Sequence, residues 1–283
     1  MLNIQKAKTP LVVLFSAGVV LAAIGVLLWR QPATAPVTEE HIAPLAGPGE
    51  TTNGAMLQEP GGLTTEAGAV EYATGVTGYF ARPKAAGAYP GVVMIHEWWG
   101  LNDNIRQMAV ELAQRGYAVL AVDLFGEVAA TPDEARRLTS GLVQDRATEN
   151  LRAAVRFLRD RGAERVASLG WCFGGGQSLR LALAEPLQAT VIYYGSLVTD
   201  VSSLRALRHP VLGIFGDRDQ SIPVDSVRKF ESALNKLGTT NEIFVYPGVG
   251  HAFANPSGAN YAPEETKDAW AKTAGFLDKY LKP

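Results

Sequence analysis

Five short, largely apolar segments read as strands, the first of them a continuous apolar run, and they limit this chain's fold more than any other feature. They are Gly91–His96, Ala118–Val122, Val166–Gly170, Thr190–Tyr194 and Val211–Phe215. A strand exposed on one face alternates apolar and polar residues, whereas a continuous run marks a strand covered on both faces. Between the runs lie stretches with helical patterning. One runs from Asp103, read as its cap, to Gln114, with Gly116 as its stop. The charged stretch Pro132–Arg161 reads as one or two helices, with Gly141 as a point of division. Gly176–Ala184, Pro223–Leu237 and Glu264–Leu281 read as further helices, and Glu242–Tyr246 as a last strand. Val70–Ala73 and Thr77–Ala81 flank Gly75 as a short antiparallel pair. Strands alternating with helices over this length predict an α/β fold: a mostly parallel sheet with helices on both faces, spanning residues 68–283.

Two segments stand before that domain. Lys6 and Lys8 precede an uncharged apolar run from Leu11 to Trp29, closed by Arg30. At a rise of ~1.5 Å per residue, about 19 residues nearly match a hydrocarbon core of ~30 Å. Residues 1–30 therefore read as a signal anchor, with the lysines keeping the amino terminus in the cytoplasm. The alternative is a cleaved signal peptide, for which Ala33-Thr34-Ala35 offers a cutting site. Either reading exports the rest of the chain, to stay on the outer side of the inner membrane or to be released. Residues 31–67 are rich in Pro, Gly, Ala, Thr and Glu without a hydrophobic period, the pattern of a flexible tether.

Charge and cysteine content narrow the function. A formal net charge of -2 with no basic stripe gives no footprint for nucleic acid. The single cysteine, Cys172, cannot form an internal disulfide and is either an inert buried thiol or one kept for its chemistry. Its setting favours the second. Gly170-Trp171-Cys172-Phe173-Gly174-Gly175-Gly176 follows a strand and opens a helix in a Gly-x-nucleophile-x-Gly arrangement. A residue at such a turn adopts a strained backbone that only small neighbours tolerate. The helix amino terminus there favours negative charge. The glycines do not fit a phosphate cradle, because no Lys-Ser/Thr follows them.

The order nucleophile, acid, histidine is the one expected after such a turn in an α/β-hydrolase fold. Of four histidines, His41 lies in the tether and His209 precedes a proline at a strand start. His96 ends a strand, and His251 stands in a glycine-rich loop after the last one. His251 is the expected base. Two aspartates follow the strand ending at Phe215. Asp219 precedes the apolar pair Ile222-Pro223 that would pack the loop down, so it is preferred as the group orienting His251. Asp217 is left to shape the turn. The loop His96-Glu97-Trp98-Trp99-Gly100-Leu101-Asn102 offers the Trp98 amide beside that of Phe173 for an oxyanion hole, with Glu97 at the same rim.

Together these segments resemble the dienelactone hydrolase family, the carboxymethylenebutenolidases. The resemblance is carried by the His-Glu-Trp-Trp-Gly-Leu-Asn loop, Val122-Asp123-Leu124, the Gly-Trp-Cys-Phe-Gly-Gly elbow, Gly-Asp-Arg-Asp and Gly-His-Ala-Phe. It implies a triad of Cys172, Asp219 and His251, and a role for Glu97 in holding and activating the thiol. It implies hydrolysis of an ester or lactone through an acyl-thioester. No metal is expected, since no further ligand cluster lies near the adjacent His96 and Glu97 in sequence, and no cofactor. Well-studied members clamp a substrate carboxylate with two arginines. Here the matching regions read Asp123-Leu124-Phe125-Gly126-Glu127 and Ala252-Phe253-Ala254-Asn255. Neither glycine nor asparagine replaces a guanidinium. The expected substrate is therefore a neutral or larger ester or lactone, acted on by a monomer. The competing readings are a catalytically silent, membrane-tethered scaffold and a redox-sensing thiol, the latter lacking a resolving cysteine.

Overall fold

The computed structural model describes residues 62–282. The apolar run Leu11–Trp29 and most of the expected tether fall outside the described residues. Among the described residues no helix is long and apolar enough to cross a membrane.

In chain order the elements are β1 (Thr65–Ala73), β2 (Val76–Pro83), β3 (Gly91–Ile95), α1 (Asp103–Gln114), β4 (Ala118–Val122), α2 (Pro132–Ser140), α3 (Gln144–Asp160), β5 (Val166–Trp171), α4 (Phe173–Ala184), β6 (Ala189–Tyr193), β7 (Val211–Gly216), α5 (Val224–Leu237), β8 (Asn241–Tyr246) and α6 (Pro263–Leu281). They build an eight-stranded sheet in the order β1-β2-β4-β3-β5-β6-β7-β8. β1 pairs antiparallel with β2, and β2 antiparallel with β4. Every pairing from β4 through β8 is parallel. β3, β4, β5, β6 and β7 are buried along their whole length, as continuous apolar runs require.

Each face of the sheet carries its own core. Leu151 and Val155 of α3, Leu179 of α4 and Phe230 of α5 pack on one face. Ile105 and Leu112 of α1, with Trp270 and Leu277 of α6, pack on the other. A small satellite cluster joins Ala135 and Leu138 of α2 to Trp98, Trp99 and Phe125.

Three boundaries differ from expectation. The cap of α1 is Asn102, whose Oδ1 accepts from the Ile105 N–H at 3.2 Å, one residue before the expected Asp103. α4 begins at Phe173, three residues ahead of Gly176. Glycine lowers helix propensity, but here the helix must pass against backbone: a Cβ on Gly174 would lie 2.3 Å from the Ile95 carbonyl oxygen. β1 takes in Thr65–Ala67, the last residues of the expected tether. Their polar composition hides a strand because β1 is an edge, anchored by pairing of Glu66 with Arg82 and a 2.5 Å ion pair between them. Gly141 does divide the charged stretch, capping α2 before α3 begins.

Candidate active site

The parallel strands end together. Ile95 is in register with Gly170, Trp171 with Tyr193, and Gly216 with Tyr246. The residues just beyond these ends therefore meet at the carboxyl edge of the sheet, where α/β folds hold ligands. Glu97 follows β3, Cys172 follows β5, Tyr194 follows β6, Asp219 follows β7 and His251 follows β8.

Cys172 occupies the single residue between β5 and α4, with φ 52° and ψ -116°. That backbone is costly for a residue with a side chain, and the surroundings hold it there. Its N–H donates to the Tyr193 carbonyl at 3.0 Å, tying the turn to β6. A Cβ on Gly170 would stand 2.1 Å from the Gly174 carbonyl oxygen, so the two chain segments touch without side chains between them. Phe173 is the first helical residue, so its N–H has no partner within the helix.

The thiol Sγ lies 3.0 Å from Nε2 of His251. On the other edge of the imidazole, Nδ1 lies 2.7 Å from Oδ2 of Asp219. The second Asp219 oxygen accepts from the N–H groups of Ser221 at 2.8 Å and Ile222 at 3.0 Å. Burial alone would raise the Asp219 pKa, but the hydrogen bonds from His251, Ile222 and Ser221 outweigh it and hold it below the ordinary value. For His251 burial disfavours the charge, yet Asp219 and Cys172 reverse this and push its pKa up to about 10. Asp217 turns elsewhere and accepts from the Gly248 N–H at 2.7 Å, closing the loop that carries His251. Asn260 steadies the same loop, donating to the His251 carbonyl at 2.9 Å.

Glu97, at the rim of the site, is buried, 5% exposed. Burial pushes its pKa up to about 7, against the opposing pull of nearby His251 and of Asn255, whose side-chain amide donates to Oε2. Oε1 has no hydrogen-bond partner. His96 is fully buried and its pKa is lowered, chiefly by that burial. Nε2 accepts from the Leu124 N–H at 3.2 Å, which leaves Nδ1 to donate to the Glu97 carbonyl at 2.5 Å. It is a structural residue, stacked 5.9 Å from the Phe173 ring. His209 is also structural: Nε2 lies 2.7 Å from the Thr190 hydroxyl, between β6 and β7.

A cavity of about 610 Å³ opens over these groups, lined by Cys172, His251, Glu97, Trp98, Phe173 and Tyr194, among others. All the lining residues are uncharged except Glu97 and the titratable pair Cys172 and His251, and no lysine or arginine is among them. Asp219 sits behind the imidazole, outside the lining. Among the described residues no group of His, Cys, Asp and Glu could hold a metal ion.

Two participants were not singled out from sequence. Asn255 gave no signal as a partner of Glu97, because the two are 158 residues apart. Tyr194 reads simply as the end of an apolar strand. In the fold it is fully buried, has φ 35°, and sets its ring edge-on to the His251 imidazole at 5.3 Å.

The geometry is that of a side chain able to attack a carbonyl and a base able to take its proton. Comparison with known proteins agrees in class. Residues 76–281 match the model of the dienelactone hydrolase family. The "Putative carboxymethylenebutenolidase" of Salmonella typhimurium (strain LT2) is 34% identical over 222 residues, covering 71% of this chain and 82% of that protein. Protein usf of Aquifex pyrophilus is 32% identical over 219 residues, covering 73% of this chain and 94% of that protein. A crystal structure from Klebsiella pneumoniae subsp. pneumoniae, named a "Putative Dienelactone Hydrolase", superposes with a TM-score of 0.71 at 31% identity. It covers 77% of this chain and 100% of that one. The α/β-hydrolase-like fold, the strand-end cavity and a match over nearly all the described residues agree, and the chain belongs to the dienelactone hydrolase family as a hydrolase of the carboxymethylenebutenolidase type.

Proposed function

We propose that this hydrolase cleaves a neutral carboxylic ester or lactone through a triad of Cys172, His251 and Asp219 and an acyl-thioester. The observation that carries the reading is the short chain of contacts Sγ–Nε2 at 3.0 Å and Nδ1–Oδ2 at 2.7 Å. His251 takes the thiol proton, and Asp219 holds the ring and stabilises the imidazolium. The thiolate attacks the substrate carbonyl, giving a tetrahedral oxyanion received by the amides of Phe173 and Trp98. Collapse breaks the carbon–oxygen bond, and the leaving oxygen takes the proton from His251. Water, deprotonated by His251, then attacks the thioester and releases the acid, and the thiolate recovers its proton through the same imidazole.

The neutral-substrate part rests on the cavity lining. With no guanidinium or ammonium around the nucleophile, a substrate carboxylate would lose its hydration with only the His251 imidazole, already held by Asp219, in exchange. The proposal also keeps the chain on a membrane, its catalytic domain on the outer side, on the strength of the Leu11–Trp29 run alone. Cell fractionation tests that part.

A panel of neutral and carboxylate-bearing esters and lactones, given to the full chain, tests the chemistry. Neutral esters should turn over faster, and an iodoacetamide probe should label Cys172 and stop turnover. Much faster hydrolysis of dienelactone than of simple aryl esters would overturn the substrate assignment. Undiminished turnover in Cys172→Ala would overturn the mechanism.

A further inference from the structure

Tyr194 carries three marks that its place in the core does not explain. A bulky aromatic residue at φ 35° is a backbone outlier, of the sort that persists where the surrounding structure forces it. Its hydroxyl is buried and meets no partner at ordinary hydrogen-bond geometry, yet it lies near enough to the Glu97 carboxylate to draw that group's pKa down. It also lines the cavity of the nucleophile, beside the carboxylate whose Oε1 is the other unpartnered atom there.

Glu97 has been turned away from water with only half of its acceptors served. Asn255 donates to Oε2 from the loop after β8. The groups that face Glu97 are Cys172 from the elbow, His251 and Asn255 from the loop after β8, and Tyr194 from the end of β6. Only His251 among them can carry a positive charge.

We propose that Tyr194 is a positioning residue: its hydroxyl and the Asn255 amide form a neutral two-donor clamp for the Glu97 carboxylate. A small rotation of the carboxylate brings Oε1 to the phenol, which donates while Asn255 keeps Oε2. The clamp stabilises the ionised carboxylate in the cavity that also holds the thiol without adding a cation, so the cavity stays suited to an uncharged substrate. The inference rests on the reading of this cavity as the reacting site.

The test reads Glu97 directly. The full chain is prepared with glutamate isotopically labelled at the side-chain carboxyl carbon, and the Glu97 signal is identified by its loss in Glu97→Gln. Removing one donor to an ionised group should raise the titration midpoint by about one pH unit in Tyr194→Phe, and similarly in Asn255→Leu. The pH–rate profile should move the same way, with the loss in kcat rather than KM. That loss should vanish when Tyr194→Phe is made on top of Glu97→Gln. An unmoved Glu97 midpoint in Tyr194→Phe, or an equal loss of kcat in both backgrounds, would show Tyr194 to be structural only. The midpoint is read without turnover, so a failure of the Cys172 mechanism is seen separately, as activity kept in Cys172→Ala.

Discussion

The Sγ of Cys172 and the Nε2 of His251 lie 3.0 Å apart, although 79 residues separate them in the chain. One comes from a strand-to-helix turn with a forced backbone, the other from a loop held down by Asp217 and Asn260. Such a contact lets a proton pass without either side chain changing place.

That contact should be indispensable. Cys172→Ala is expected to lower kcat for aryl esters by about a thousandfold or more, and Asp219→Asn by about a hundredfold or more, with the folds kept. Rapid-quench mass spectrometry should find an acyl adduct on Cys172 in the wild-type protein. An adduct on another residue would reassign the nucleophile.

Glu97 should make stability depend on pH near neutrality. Burial raises its folded pKa from 4.5 to about 7. A raised folded pKa gives stability that is complete below the unfolded value and is lost as pH rises through the folded one. Between pH 4.5 and 7 the wild type should therefore lose on the order of 3 kcal/mol relative to Glu97→Gln. Urea unfolding of both proteins across that window measures the difference; parallel curves would contradict it.

His209 should act at the acid end. Burial lowers its pKa from 6.5 to about 4, so its contribution is present above 6.5 and is lost as pH falls through about 4. Replacing it with glutamine should make the melting temperature less sensitive to acid across that window. Thermal melts at stepped pH are sufficient to see it, and an unchanged acid sensitivity would count against the assignment.

The elbow glycines should tolerate no side chain. A Cβ at Gly174 would stand 2.3 Å from the Ile95 carbonyl oxygen and 2.4 Å from that of His96. Both obstacles are backbone of a central strand end and cannot swing aside. Gly174→Ala is expected to cost about 3 kcal/mol or more in chemical denaturation. Gly238→Ala, which meets nothing within 4 Å but holds φ 68°, should cost only about 1 kcal/mol.

Much of this architecture is legible in the chain because its signals are local. A strand covered on both faces announces itself as an apolar run, and β3 to β7 are all of that kind. The Gly-x-Cys-x-Gly turn is equally local as a pattern, although the clearance at Gly174 is needed against the end of β3. What composition obscures is the edge: Thr65–Ala67 look like tether because none of the three is buried, so the strand leaves no apolar pattern there.

The sequence by itself thus determined a mostly parallel α/β sheet, the turn at Cys172 and a histidine in a loop after the last strand. Between neighbours of like chemistry the sequence offers a preference, for Asp219 over Asp217, and the contacts themselves come from the tertiary structure. Asp219 meets the imidazole while Asp217 meets the Gly248 amide, a choice made by how the loop after β7 packs against the loop after β8. It also decided that Glu97 is buried and held by Asn255, and that the buried Tyr194 lines the same cavity. The physical reason is one of range. Periodicity and turn chemistry act over a few residues, whereas a buried carboxylate takes its partners, and so its pKa, from strands that meet only after the sheet has formed.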